Sequence, residues 1–567
     1  MLTCSYLLLM ESSRMHTACR LKILFAVCAC VLVAACGGGG SGGDAGFTDS
    51  GARSQPLTDN SVKIQVAGIA TFDSISNSST TGGLDYKSLS QKPVRGASIQ
   101  AISGSTVIAT ATTSEQGAYT LNVPTGSTFF IRLRAELVNT QGSATWSIAV
   151  KDNTAGNALW AVDDVPQSVG TANISRSISA GSGWSGSSYS GARSAGPFAI
   201  LDTVYAGLQL VTSAQSAALF PPLTIYWSPN NISTRGSLAI GEIGTTFFST
   251  APQTSTSANG LVRFIYVLGR QDNDTDEYDS AIIAHEFGHY LESAFGKTNS
   301  LGGPHGPLDK LDATLAFSEG WGNAWSGMVR NSAIYADSSG FRQASGKVSI
   351  LSNSPTDAAR GWYREDSVDS TLYRFFLAQG FAPIWSALSG PARTSQDALS
   401  TIFSFAAAVR SAANAAAIST LNALLAAQAI FTGTGADQWG AGEVNNGGNL
   451  ENLPFYIPLA LNVSVQTCLS KTNLKDAFPN KLGSTKYYRL ALPNGGVRTI
   501  TANFSGGRDI DLEVFQKGVT RANAQSTSST SETATVNLDA GEAVIRISDF
   551  NLAQVPASTP CATLVVN

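Results

Sequence analysis

The stretch Asp279-Ser-Ala-Ile-Ile-Ala-His285-Glu286-Phe-Gly-His289-Tyr-Leu-Glu292 decides how the rest of the chain is read. Ala281 to Ala284 give an apolar approach, and Asp279 or Ser280 stands where a helix cap is expected. On a helix, positions i and i+4 lie one turn apart on one face, so His285 and His289 present both imidazoles to a single point. That is a metal-ligand spacing. Glu286, beside it, is placed to take a proton from a metal-bound water and deliver it to a leaving amine. The chain has four histidines in all, and two of them stand here.

Two imidazoles leave a metal site incomplete. An extended motif that finishes on the same stretch would need Gly at position 292 and His at 295, where the chain has Glu292 and Phe295. The alternative is a later helical glutamate. Ala316-Phe-Ser-Glu319-Gly-Trp-Gly-Asn323-Ala-Trp-Ser-Gly-Met328 offers Glu319 alone among apolar and small residues. An unpaired carboxylate in such surroundings is costly unless it binds something. The separation, 319 − 289 = 30 residues, leaves room for a loop and a return onto the first helix.

These two stretches together resemble the gluzincin metallopeptidases, and in particular a bacterial secreted gluzincin-like family; the resemblance covers roughly positions 195 to 460. It implies a Zn2+ ion held by His285, His289 and Glu319, water as fourth ligand, and Glu286 as general base of peptide hydrolysis. In gluzincins an Asp often follows the third ligand by four and buttresses a histidine. Asn323 holds that place here, and its carboxamide can still accept an imidazole N–H.

At 567 residues and 43% hydrophobic content the chain is long enough for several packed cores. A net charge of −4 with no basic stripe argues against a nucleic-acid partner. Charged residues make up 13%, against roughly 25% in ordinary soluble domains. That bias suits an exported protein rich in strands and loops.

Export is also read from the start of the chain. Arg14, Arg20 and Lys22 precede the apolar run Ile23 to Val33, which closes on Ala34-Ala35-Cys36 and four glycines. The segment 1–36 is expected to be a signal peptide, and Val-Ala-Ala-Cys resembles a bacterial lipobox. Cleavage would leave Cys36 as the lipid-bearing residue, tethered by a flexible segment, 37–60, to a bacterial outer membrane or cell surface. Five of the seven cysteines fall at or before position 36. The remaining two, Cys468 and Cys561, are a plausible disulfide in an oxidising compartment.

From 61 to 165 short period-two runs alternate with Gly, Pro, Asn and Ser, which predicts a β-sandwich. Pro93-Val-Arg-Gly-Ala, then Thr113-Ser-Glu-Gln-Gly-Ala-Tyr, resembles the carboxypeptidase-regulatory-like sandwich. The Ser/Gly-rich stretch 166–194 reads as a linker. A catalytic domain is expected over 195–462: a helix near 198–211, strands at 223–227, 245–248 and 261–268, the two ligand helices, and an Ala-rich helical pair at 397–431. Beyond it, 463–567 returns to strands, and Gly506-Gly-Arg-Asp-Ile-Asp-Leu-Glu-Val-Phe515 resembles the pre-peptidase C-terminal sandwich of secreted bacterial proteases.

Three further residues are candidates for the chemistry. His305, in the loop between the ligand helices, is a candidate substrate-facing donor. Tyr363 and Tyr373, on an expected helix over 361–376, are candidate oxyanion donors, although aromatics at that spacing also serve as core. Asp272-Asn-Asp274-Thr-Asp276 begins like a calcium loop, yet an EF-hand would need Gly at 277 and Glu at 283, where Glu277 and Ile283 stand. A charge cluster favouring the helix N-terminus is the preferred reading of that stretch.

The expectation is a multidomain protein in which an α+β zincin-like catalytic domain, a small sheet plus active-site helices, is flanked by two β-sandwich domains. It acts as a monomer on a protein or peptide substrate and meets the membrane through its lipid anchor. The rival reading is a catalytically inactive adhesion lipoprotein.

Overall fold

Alternation of buried with more exposed side chains marks Lys63–Asn77 (β1), Ala97–Ser103 (β3), Ala118–Pro124 (β5), Thr128–Asn139 (β6) and Trp146–Asp152 (β7), while the intervening Leu84–Pro93 (β2) and Thr106–Thr112 (β4) bury little. The computed structural model describes residues 61–252, 261–505, 507–527, 530–555 and 561–567. The signal-peptide segment 1–36, lipidation at Cys36 and the 37–60 tether lie outside the described residues. Lys63–Asn567 forms one compact unit.

β1 pairs with β5 along its first half and with β2 along its second, and the pairing shifts register between Ser74 and Ser76. Facing this sheet is a second one containing β3, β4, β6 and β7. The period-two pattern therefore folds as expected.

The expected boundary after it does not hold as a break in structure. β7 pairs in parallel with Leu223–Trp227 (β8), Ile148 opposite Leu223, and the sheet runs on through Leu261–Val267 (β10) to Phe247–Pro252 (β9). The stretch 166–194 is not a free linker either. Ile174–Ser175 and Ile178–Ala180 lie parallel to β1, and Gln167–Ser168 pairs with β6. The physical reason is burial: Ile148, Val150, Leu223, Ile225 and Trp227 are all essentially inaccessible, so β7 and β8 complete one core together. A single hydrophobic cluster extends from Ile64 through the helices to Val544.

The helices are Gly196–Ala214 (α1), Ser280–Phe295 (α2), Ala313–Arg330 (α3), Glu365–Gln379 (α4), Ala382–Ser389 (α5), Pro391–Thr394 (α6), Ile402–Ala412 (α7) and Ala415–Ala427 (α8). Pro197 at the start of α1 fits a helix beginning, where its missing N–H costs no bond. α2 and α3 cross closely because glycines meet there. A Cβ on Gly288 would stand 3.0 Å from the Trp325 ring and 3.3 Å from the Gly322 Cα. Before and after this pair, Asp274–Thr275 (β11), Ile334–Ser339 (β12) and Ser345–Ile350 (β13) form a small antiparallel sheet against the start of α2.

The C-terminal strands make a β-sandwich with its own core, Leu459 to Val566. Cys468 and Cys561 are disulfide-bonded, Cα atoms 3.9 Å apart, as a directly opposed pair on two neighbouring strands. The bond thus ties an edge of one sheet and does not clasp the module's two ends. Nor does the sandwich stand apart: Tyr487, Phe515 and Val544 belong to the large core.

Candidate metal centre

α2 carries His285 and His289 one turn apart, with ring centroids 4.7 Å apart, and α3 brings Glu319 to them. The two Nε2 atoms are separated by 3.0 Å, and Glu319 Oε2 lies 3.2 Å from the His285 Nε2 and 3.5 Å from that of His289. Ligands at about 2.1 Å on a tetrahedral zinc ion stand about 3.4 Å from one another. The three edges bracket that value.

The outward ring nitrogens fix which lone pairs point inward. His285 Nδ1 is 2.9 Å from Asn323 Oδ1, an acceptor, so this nitrogen carries the proton and Nε2 presents a lone pair to the carboxylate. His289 Nδ1 is 3.3 Å from Ser318 Oγ, whose hydroxyl in turn donates to Glu292 Oε2 at 2.8 Å. Lone pairs and a carboxylate converging on one point need a cation. The residues therefore fit Zn2+.

Electrostatics tell the same story in protons. Burial alone would raise the Glu319 carboxyl, but His289, His285 and His305 outweigh it and hold it well below the usual range. Burial likewise opposes charge on His289, yet Glu319 prevails and pushes its pKa up to about 9. Each group is set up for an opposite charge in the middle.

Asn323 is more than a weaker substitute for an aspartate. Asp369 on α4 stands beside this amide; burial, then the charges of Glu365 and Asp366, raise its carboxyl well above the ordinary value, and Asn323 offsets part of the rise. Gly322 makes the seat possible, because a Cβ there would stand 2.8 Å from the His285 ring.

Glu286 is 9% exposed and lies outside the ligand triangle, its Oε2 accepting the backbone N–H of Phe248 on β9 at 2.7 Å. Burial pushes this carboxyl above its ordinary value, with His285 and His289 offsetting part of the rise. The expected cap is different: Asp279 occupies the N-cap position of α2 without a side-chain bond to the helix. Its carboxylate instead accepts from Asn77 Nδ2 at 2.6 Å and from Ser338 N and Oγ at 2.7 and 2.8 Å.

His305 does reach the site. Its Nε2 is 3.4 Å from Glu319 Oε2 and 3.7 Å from Glu365 Oε2. Burial disfavours its charged form, but Glu319 and Glu365 raise its pKa. The loop that carries it is held from the C-terminal sandwich: Asn480 Nδ2 donates to the carbonyls of Gly302 and Pro304, and Lys481 Nζ donates to Pro304 as well.

The two tyrosines chosen from the sequence lie elsewhere. Tyr363 precedes α4 and bonds Asn445 Oδ1 at 3.0 Å, filling the space beside Trp362 and Gly447. Tyr373 is 2% exposed and packs on Gly327 and Phe376. Both are core. The phenol at the site is Tyr335 on β12, whose ring is 6.2 Å from that of His285. Burial first, then the charges of Glu286, Asp337 and Glu319, raise its pKa well above the ordinary value, so it remains a donor. No local signal marks it, since Ile334-Tyr-Ala-Asp-Ser reads as an ordinary strand.

No family model and no curated protein matches the sequence. Among solved structures, the chain is similar to the pre-peptidase C-terminal domain of a collagenase from Bacillus anthracis, with 12% identity and a TM-score of 0.16, over 20% of this chain and 94% of that one. It is also similar to a β-glucosidase from Paenibacillus barengoltzii, with 11% identity and a TM-score of 0.12, over 19% of this chain and 11% of that one. Likenesses this loose carry no argument, and the C-terminal β-sandwich rests on its own strand pairing.

Proposed function

We propose that the protein is a zinc-dependent peptidase of the gluzincin type, exported and lipid-anchored, that hydrolyses peptide bonds of extracellular or envelope proteins. What supports this most is the triangle of His285, His289 and Glu319, with edges of 3.0, 3.2 and 3.5 Å, beside a buried carboxylate that is not part of it. When bound, zinc supplies Lewis acidity and lowers the pKa of a water towards neutrality.

Glu286 is the proton carrier. The Phe248 N–H engages its Oε2, which leaves Oε1 to take a proton from the attacking water and return it to the leaving nitrogen. Its raised proton affinity suits a group that must first accept and then release a proton near neutral pH. β9, the last strand in its sheet among the described residues, lies against the same carboxylate and offers an edge to an extended peptide. Tyr335 and His305 approach from two other elements and can donate to the developing oxyanion.

Zinc content, together with hydrolysis of a mixed peptide library by the full chain, tests the reading. One zinc per chain and cleavage of library peptides are expected, both lost in His289→Ala. A chain that binds no zinc, or binds it and cleaves nothing, would overturn the proposal in favour of the adhesion lipoprotein.

A further inference from the structure

The Asp-rich stretch before α2 acquires a partner that its own sequence does not contain. Asp274 lies on β11, and β12 runs antiparallel to it, Asp274 opposite Ser339. This brings Asp337 into reach, and one carboxylate oxygen from each of Asp274, Asp276 and Asp337 lies within 4.8 Å of the others.

Two oxygens of this cluster lack a donor. Asp276 is 3% exposed; its Oδ2 accepts the Thr246 hydroxyl, whereas its Oδ1 is fully buried with no hydrogen-bond partner. Asp274 Oδ1 is buried and unpartnered in the same way. Asp279, next in the chain, differs: Asn77 and Ser338 bond both its oxygens, which rules it out as the source of spare binding capacity. Lys347 stands opposite Asp337 across the strand pair but is exposed and forms no ion pair with it among the described residues. Burial raises all three carboxyls, Asp274 up to about 7; Asp337 adds to the rise at Asp274, and Asp274, Asp279 and Asp337 add to that at Asp276, whereas the charge of the exposed Lys347 offsets part of it at Asp274 and Asp337. Near neutral pH, then, either protons or a cation must balance the cluster.

We propose that Asp274, Asp276 and Asp337 form a second metal site, separate from the His285 centre, that takes a calcium ion. The donors are all carboxylate oxygens, with no imidazole or thiolate, which selects a hard cation over zinc. Calcium binds oxygens at about 2.3–2.6 Å in loose geometry and so spans such a cluster, whereas magnesium holds to one or two carboxylates in a tighter octahedron. The ion would fix β11 to β12 at the threshold of α2. Tyr335 lies two residues before Asp337 on β12 and shares its strand face, so the same ion would hold the phenol in register with His285.

The test uses the full chain, freed of divalent ions on chelating resin and reloaded with one equivalent of zinc. Equilibrium dialysis with radioactive calcium should give one tightly bound ion per chain. Asp276→Asn and Asp337→Asn should each weaken it at least tenfold while the zinc content stays at one, and magnesium at the same concentration should not displace it. Hydrogen exchange of the wild-type chain should slow on calcium addition in 272–280 and 334–348, a readout that decides the matter even if the variants fail to fold. No bound calcium, or bound calcium with exchange in those segments unchanged, would overturn the site. A chain that takes up no zinc sinks the catalytic reading, and the calcium measurement is then made on the zinc-free protein.

Discussion

Two clusters of candidate ligands lie near α2, one on α2 and α3 and the other on β11, β12 and the residues before α2, and they are built in opposite ways. At the His285 centre each imidazole has a helper: Asn323, with Asp369 beside it, behind one, Ser318 and Glu292 behind the other. At the aspartate cluster before α2, two buried oxygens have none. The first would therefore be shaped before an ion arrived, whereas the second would be held together only once its charge was balanced. A preorganised site loses function through chemistry, and an unbalanced one through stability.

The largest break in this comparison is expected from Glu286→Gln. It should keep its zinc and lose about 10²–10⁴-fold in kcat/KM, measured by steady-state peptide hydrolysis beside metal analysis. Loss of zinc in this variant would place Glu286 among the ligands, contrary to its bond with Phe248.

Next in size are the two donors. Tyr335→Phe should reduce kcat by about 10²-fold with zinc retained, if its phenol stabilises the oxyanion. His305→Gln offers the contrast, because its loop hangs on Asn480 and Lys481 of the C-terminal sandwich. If His305→Gln costs kcat and Tyr335→Phe leaves it unchanged, the oxyanion role belongs to the histidine.

A smaller effect is expected behind the metal. Asp369→Asn should weaken zinc about 10–100-fold, read by competition with a chromogenic chelator, since it replaces the buried carboxyl beside Asn323. Unchanged affinity would mean that the amide holds the imidazole by itself.

The mildest effect lies just past α2, where Lys297 is 8% exposed. Burial, with Arg393 adding to it, pushes its pKa down to about 7, while the unfolded value is about 10.4. Between those two values the unfolded chain holds the extra proton, so stability should rise with pH from about 7 to about 10.4 and stay flat below 7. Lys297→Met should flatten that slope in thermal melts. A slope that survives belongs to another group.

Legibility followed the range of the interaction. The meeting of His285 and His289 was readable because a helical turn ties them at fixed spacing, and that of Glu319 with them because an isolated carboxylate in an apolar stretch needs a purpose. Tyr363 and Tyr373 were misread for the same reason that aromatics usually are, since packing on Gly447 and Gly327 leaves no trace in local spacing. The boundary at 166–194 was misread because Ser and Gly mark a linker equally as well as short strands on the border of a shared sheet.

By itself the sequence determined the period-two strands, the helices that carry His285 and Glu319, and the i, i+4 pair, all of which follow from backbone repeats of 2.0 and 3.6 residues. Only the tertiary structure decided that Asp337 joins Asp274 and Asp276, that Tyr335 faces His285, that Asp369 stands behind Asn323, and that β7 continues into β8. Those contacts link residues tens of positions apart. They are chosen by strand pairing and by the need to bury two apolar faces at once, and no spacing within the chain encodes them.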